Sequence, residues 1–151
     1  MGEINASGLY AANKQFSDAY DIALNPLARE LSMSTRALDI LLFLANNPGK
    51  DTSAEVCACR GLKPGIVSFH VETLVKGGYI ERREDPNDRR KCRLFLTEKA
   101  RPAIERGREA QELFAQALTD GIGGGELQIF WRCLKRMRDN IEQMTCRRRG
   151  H

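Results

Sequence analysis

The chain has 151 residues, 42% of them hydrophobic and 29% charged, which is enough apolar content for a real core in one domain, or in one domain with dimerisation arms. Lys+Arg 24 against Asp+Glu 20 leaves a formal charge of only +4, so any nucleic-acid footprint has to come from local clustering and not from bulk charge. No run of 18 or more apolar residues predicts a membrane span, and "MGEINASGLYAANK" has neither the basic nor the apolar region of a secretory signal.

The start of the chain matches a myristoylation pattern only weakly, because Ala6 stands where Ser or Thr is wanted. Residues 7 to 29 then place Leu9, Phe16, Tyr20, Ala23 and Leu27 near helical period, and Pro26 is expected to break or bend the end of that helix. In "LSMSTRALDILLFLANNPGK", Ser34 is an N-cap, Leu38, Leu41, Leu42 and Ala45 line one face, and "NNPG" stops a short, deeply buried helix. "DTSAEVCACR" reads as another short helix capped by Asp51 or Thr52, and "GLKPG" as a turn. A third helix follows in "IVSFHVETLVKGGYI", with Ile66, Val67, Val71, Leu74 and Val75 apolar and Gly77 and Gly78 closing it. Two short helices across a tight glycine turn make a helix-turn-helix. "YIERRED" and "KCRLFLT" both alternate and are joined through "PND", the pattern of a hairpin. Thr97 can cap a long helix reaching roughly Thr119, with Pro102 implying a kink or a late start. "DGIGGGE" is a flexible corner, and a last helix is expected from Leu127 to Met144.

The predicted fold is mainly α with a small β-hairpin wing: a winged helix-turn-helix over about 34–97, flanked by helices over about 7–31 and 98–146. The long outer helices carry apolar faces that one small domain cannot cover, and pairing between two chains would bury them.

In a helix-turn-helix the second helix lies in the major groove. The candidate reading residues are Lys63, Gly65, Ser68, Phe69 and Glu72, with His70 and Thr73 further round. Lys63 suits phosphate or guanine, Ser68 several base edges, and Phe69 a thymine methyl. The competing reading is an ordinary polar surface helix. The hairpin weighs against that. Residues 81–93 hold six cations, Arg82, Arg83, Arg89, Arg90, Lys91 and Arg93, against Glu81, Glu84, Asp85 and Asp88, so half of the chain's charge excess sits in one finger. Arg89, Arg90 and Lys91 at the turn would meet a minor groove, where negative potential attracts arginine. Asp88, two residues before Arg90, is expected to pair with that side chain and fix its direction, and Pro86 and Asn87 narrow the turn. A solvated turn of mutually satisfied charges is the bland alternative.

"DPNDRRKCRLFLTEKA" resembles the wing signature of the multiple antibiotic resistance regulator (MarR) family, an Asp, any residue, an Arg, and then Leu-Thr opening a long helix. Asp88, Arg90, Leu96 and Thr97 occupy those places. "LVKGGYIERR" and "TSAEVCACRGLKPGIVSFHVETL" resemble the family's approach to the wing and its helix-turn-helix. Arg60, where an apolar residue is usual, Phe69, where a polar one is common, and Ala100, where Gly is frequent, depart from the pattern. The resemblance implies a cytoplasmic homodimer on double-stranded, pseudo-palindromic operator DNA, usually a transcriptional repressor released by a small aromatic or phenolic effector between the outer helices and the DNA-binding lobe.

Tyr10, Phe16, Tyr20 and Phe114, with Trp131, are expected to be mostly core or dimer interface, with some of the first four lining such a pocket. The five cysteines are odd in number and irregularly spaced, which fits free thiols in a reducing cytoplasm. Cys57, Cys59 and Cys92 are the redox candidates, against a reading of buried or incidental thiols that also takes in Cys133 and Cys146. The family's peroxide sensors use a cysteine near the N-terminus, and none precedes Cys57. With His70 and His151 the only histidines, no metal site or other cofactor is expected, and no catalytic arrangement is visible, so the protein reads as a binder and not an enzyme.

Overall fold

The computed structural model describes residues 5–149, with side chains up to Thr145; the first four residues, the side chain of Cys146 and the terminal His151 lie outside that range. Helix α1 spans Ala6–Glu30, α2 Thr35–Asn46, α3 Ser53–Arg60 and α4 Pro64–Lys76. Strands β1, Ile80–Glu84, and β2, Cys92–Leu96, form an antiparallel hairpin, followed by a 3-10 turn, Glu98–Ala100, then α5, Arg101–Leu118, and α6, Gly124–Arg149.

The chain forms two compact units divided after Ala115. The first is built around α2. From Ala37 to Leu44 every residue of that helix is buried, because apolar side chains occupy positions all round it. Ile40, Leu41, Phe43 and Leu44 pack with Val56 of α3, Val67, Val71 and Leu74 of α4, Ile80 and Leu94 of the hairpin, and Ile104 of α5. Leu38 and Leu42 turn the other way, toward Leu24, Leu27 and Ala28 of α1. Ser34 caps α2 by accepting the Ala37 N–H at 3.0 Å. The Arg106–Glu30 ion pair adds a tie between α5 and the end of α1.

Two local expectations change, and of the two outcomes that Pro102 implied the late start is the one found. Helix α1 does not break at Pro26 but continues to Glu30. Proline removes one N–H there, and burial of Leu24 and Leu27, worth about 1.5–3 kcal/mol each, outweighs the loss. Thr97 makes no capping bond to the helix that follows; its hydroxyl donates to the carbonyls of Gly78 and Tyr79 at 2.6 and 3.1 Å and fastens the hairpin's base to the end of α4. The long helix begins at Arg101, which places Pro102 in its first turn, where a missing N–H costs little.

In the second unit α6 begins earlier than its apolar period suggested, at Gly124, since the Gly123 carbonyl accepts the Leu127 N–H and the Glu126 carboxylate accepts the Gly123 N–H. Ile129, Phe130, Trp131, Ile141 and Met144 are all exposed. Among the described residues no helix is long and apolar enough to cross a membrane.

Helix α5 meets α2 at Gly107. A Cβ added there would lie 2.5 and 2.9 Å from the two Leu42 methyls, and Leu42 is 0% exposed, with no room to retreat. Gly107→Ala should therefore destabilise the fold by about 1–3 kcal/mol of overpacking, less a helix-propensity gain of at most about 1. Thermal denaturation checks this: a lower Tm is expected, and an unchanged or higher one would show that α5 is free to shift.

Candidate nucleic-acid interface

Helix α3 starts on a reciprocal cap. The Thr52 hydroxyl accepts the Glu55 N–H at 3.3 Å, and the Glu55 carboxylate accepts the Thr52 N–H at 3.0 Å, so Thr52 and not Asp51 is the cap. The helix ends at Gly61, whose φ of +63° is the left-handed turn that glycine makes without strain. Three residues later Pro64 opens α4, with Lys63 at the N-cap.

Helix α4 buries Val67, Val71 and Leu74. The opposite face presents Lys63, Gly65, Ser68 and Thr73 to solvent, together with Phe69 at 67% exposure. Ile66, one of the apolar residues of this helix, is exposed too. Its angular neighbours Phe69 and Thr73 are exposed as well, and only the Val67/Val71/Leu74 spacing identifies the inward face. Thr73 donates to the Phe69 carbonyl at 3.0 Å. His70 departs from the open face: its Nδ1 lies 3.2 Å from the Ser34 hydroxyl, and its ring meets Phe69 edge-on. Burial, and secondarily Arg36, hold His70 below its ordinary pKa.

In the hairpin Ile80 faces Leu96 and Glu84 faces Cys92, so seven residues, 85–91, form the loop instead of "PND" alone. Two aspartates shape it. Asp85 Oδ1 accepts the Asn87 N–H at 2.8 Å, and Asp88 Oδ1 accepts the Arg90 N–H at 3.0 Å. The expected side-chain pairing of Asp88 with Arg90 is thus replaced by a bond to the Arg90 backbone, which is nearer along the chain and leaves the guanidinium free.

The six cations sort into two groups. Arg82 donates to Glu72 of α4 at 2.6 Å, Arg83 to Glu81 at 3.0 Å, and Arg93 to both Asp85 at 2.7 Å and Asp51 at 3.0 Å. The Asp51 contact is backed by the Leu94 N–H donating to the Asp51 carbonyl at 2.7 Å, so the loop before α3 lies alongside β2. Arg89, Arg90 and Lys91, all exposed at the loop, take no ion-pair partner among the described residues. Mixed charge therefore serves two tasks: the acids lock the stem, and the tip keeps its cations available.

Phe16, Tyr20 and Phe114 stack or meet edge-on with centroids 5.5–6.5 Å apart. Tyr10, 77% exposed, stands outside the group. Cys57 is half-buried against the core, Cys59 is exposed with Lys50 Nζ 3.8 Å from its sulfur, and Cys92 is exposed on β2. Among the described residues no group of three or more metal-binding side chains occurs.

Residues 31–91 match a protein-family model described as MarR family. In that stretch the winged-helix segment is similar to the MarR family. The matched stretch runs from the C-cap of α1 to the last cation of the wing loop. Over 78 residues the chain is 30% identical to an uncharacterized HTH-type transcriptional regulator, YdgJ, of Bacillus subtilis (strain 168), covering 52% of this chain and 48% of that one. It is 41% identical over 56 residues to another from the same organism, YcgE, covering 37% and 34%. The chain thus spans about half the length, or less, of these curated relatives. A MarR transcriptional regulator from Methanosarcina mazei Go1 has the same fold, with a TM-score of 0.78 at 17% identity over 91% of this chain and 99% of that one. So has a MarR-family chain from Listeria monocytogenes solved with 26mer DNA, at 0.79 and 20% identity over 93% and 90%.

The wing carries a titratable lock. The Asn87 N–H, and after it Arg93, hold the Asp85 carboxyl below its ordinary range. A depressed folded pKa means a stabilising contribution that is complete above about pH 4 and is lost as pH falls through the lower folded value. Asp85→Asn should melt below the parent at pH 7, and the gap should close as pH is lowered through and below about 4. Melting curves across that range check it, and a gap independent of pH would mean that the Asp85 charge contributes nothing.

Proposed function

We propose that the protein is a homodimeric, sequence-specific DNA-binding transcriptional regulator, a repressor released from its operator by a small aromatic or phenolic effector. The observation that carries this reading is the sorting of charge in the wing: Arg89, Arg90 and Lys91 stand exposed at the tip while the other three cations are held by acids. A turn built only for solubility has no need to hold three cations apart from four nearby carboxylates. Directly before the wing, α4 offers Gly65, Ser68, Phe69 and Thr73 on one open face, which suits base edges and a thymine methyl in the major groove. The DNA complex of the Listeria monocytogenes relative supports the same use of the fold.

Residues of about 34–97 act as the DNA-binding lobe, and those of about 7–31 and 98–146 as dimerisation helices. Exposed Leu9 and Phe16 on α1, Leu113 on α5, and the apolar row on α6 are the surfaces a second copy would cover. Two-fold symmetry puts half-sites about one helical turn apart, roughly 10 bp centre to centre. The Phe16, Tyr20 and Phe114 rings are the proposed effector contacts, with Tyr10 peripheral to them. Bound at its operator in the cytoplasm, the dimer blocks polymerase, and the effector changes the separation of the two reading helices.

The deciding experiment is selection of duplexes from a random pool by the purified protein under reducing conditions. Enrichment of a two-fold symmetric motif is expected; strong retention without enrichment would favour an architectural binder, and no retention at low salt a protein partner. On the selected operator, Arg90→Ala should weaken binding to all sequences and lower the salt slope by about one phosphate contact, whereas Ser68→Ala or Phe69→Ala should change the order of preference among sequences. Equilibrium binding across a salt series separates the two effects; an Arg90→Ala variant with unaltered affinity and slope would remove the wing from the interface.

A further inference from the structure

Asp39 sits in the middle of α2 at 2% exposure, the one charged side chain in an otherwise apolar buried run. A carboxylate in that position is tolerated only through its partners. Arg60, the last residue of α3, donates to both of its oxygens, Nε at 3.1 Å and Nη2 at 3.2 Å, and lies over the Phe43 ring at 5.1 Å. From the other side the Tyr20 hydroxyl of α1, near enough to lower the pKa of the Asp39 carboxyl, accepts from Gln111 of α5 at 2.6 Å. Burial raises the Asp39 carboxyl above the usual range, and Arg60 is the strongest influence opposing it.

The placement matters more than the charge. Helix α3 has eight residues, and Val56 is its one fully buried side chain. A short helix held by one buried side chain and the adjacent half-buried Cys57, both near its middle, can still tilt at its end. The two-pronged bond from Arg60 supplies a second point, at the end from which the Gly61–Lys63 turn leads into α4, and a planar guanidinium resists rotation where a point charge would not. We propose that Asp39 and Arg60 are positioning residues for sequence recognition, holding the end of α3 so that the turn delivers Ser68 and Phe69 at a fixed angle to the bases. This rests on the DNA-reading role of α4 proposed above.

The test separates positioning from stability by replacing both partners. A buried ion pair exchanged for apolar residues of similar volume is often no less stable than the original. The double variant Asp39→Leu with Arg60→Met is therefore expected to keep a Tm close to the parent's. Its affinity for a scrambled duplex, and the salt slope of that binding, should also stay unchanged, because Arg89, Arg90 and Lys91 remain. Its operator-to-scrambled affinity ratio should fall at least about tenfold. Arg60→Lys, which keeps the charge but loses the fork, should give a smaller fall, about threefold, and it decides the matter if the double variant does not fold. A folded double variant, or failing that Arg60→Lys, that discriminates as well as a discriminating parent overturns the positioning role alone. A parent that itself fails to discriminate overturns the regulator reading, and this proposal with it.

Discussion

The burial of α2 on every side is the constraint on which the first unit depends. An eight-residue run without a solvent face cannot be covered by a single neighbour, so α1 packs on one side, and α3, α4, the hairpin and α5 on the other. Each of those elements is short or amphipathic, and none has a core of its own. Their orientations follow from how their apolar stripes fit α2: Val67, Val71 and Leu74 fix which face of α4 turns inward, and its exposed face is what remains. The close approach at Gly107 shows how little slack that arrangement has.

Polar bonds then refine what packing leaves undetermined. Thr97 and Lys99 both donate to carbonyls at the end of α4, Lys99 to Gly77 at 2.6 Å, so the hairpin's base is attached to that helix instead of hanging from it. Gly78, at φ +77°, makes the sharp exit from α4 that brings those carbonyls within reach. Arg82 reaches Glu72 across the same junction. Helix α4 and the wing stem are tied at three places, so they present their exposed groups as one surface.

Much of this was legible in the sequence because it is local. The caps at Ser34 and Thr52 and the stop at Gly61 depend on residues within three or four positions, and the helices and hairpin emerged in the right order from their periodicities. Contacts between distant positions were not legible. Counting charges in the wing finds six cations but not which of them are held, because Asp51, one of the two partners of Arg93, lies 42 residues away. Arg60 looked out of place, and nothing near it in sequence points to Asp39, 21 residues earlier. Thr97 stood at a helix start, where its type suggests a cap, and only the folded hairpin offers it better acceptors. His70 read as one more residue on an open helix face until α2 placed Ser34 beside it.

The two aspartate-centred turns in residues 85–91 also bear on the kinetics of association. A loop of seven residues carrying three long cationic side chains would ordinarily surrender much backbone freedom on docking, and that loss subtracts from affinity. Here the Asn87 and Arg90 amides are already engaged, and the Asp85 and Lys91 backbones close the loop's mouth at 2.9 Å. The backbone is preorganised and only the side chains need to settle. In the proposed DNA complex, encounter would proceed without a folding step in the finger, so charge attraction would set the on-rate and ionic strength would be its main control.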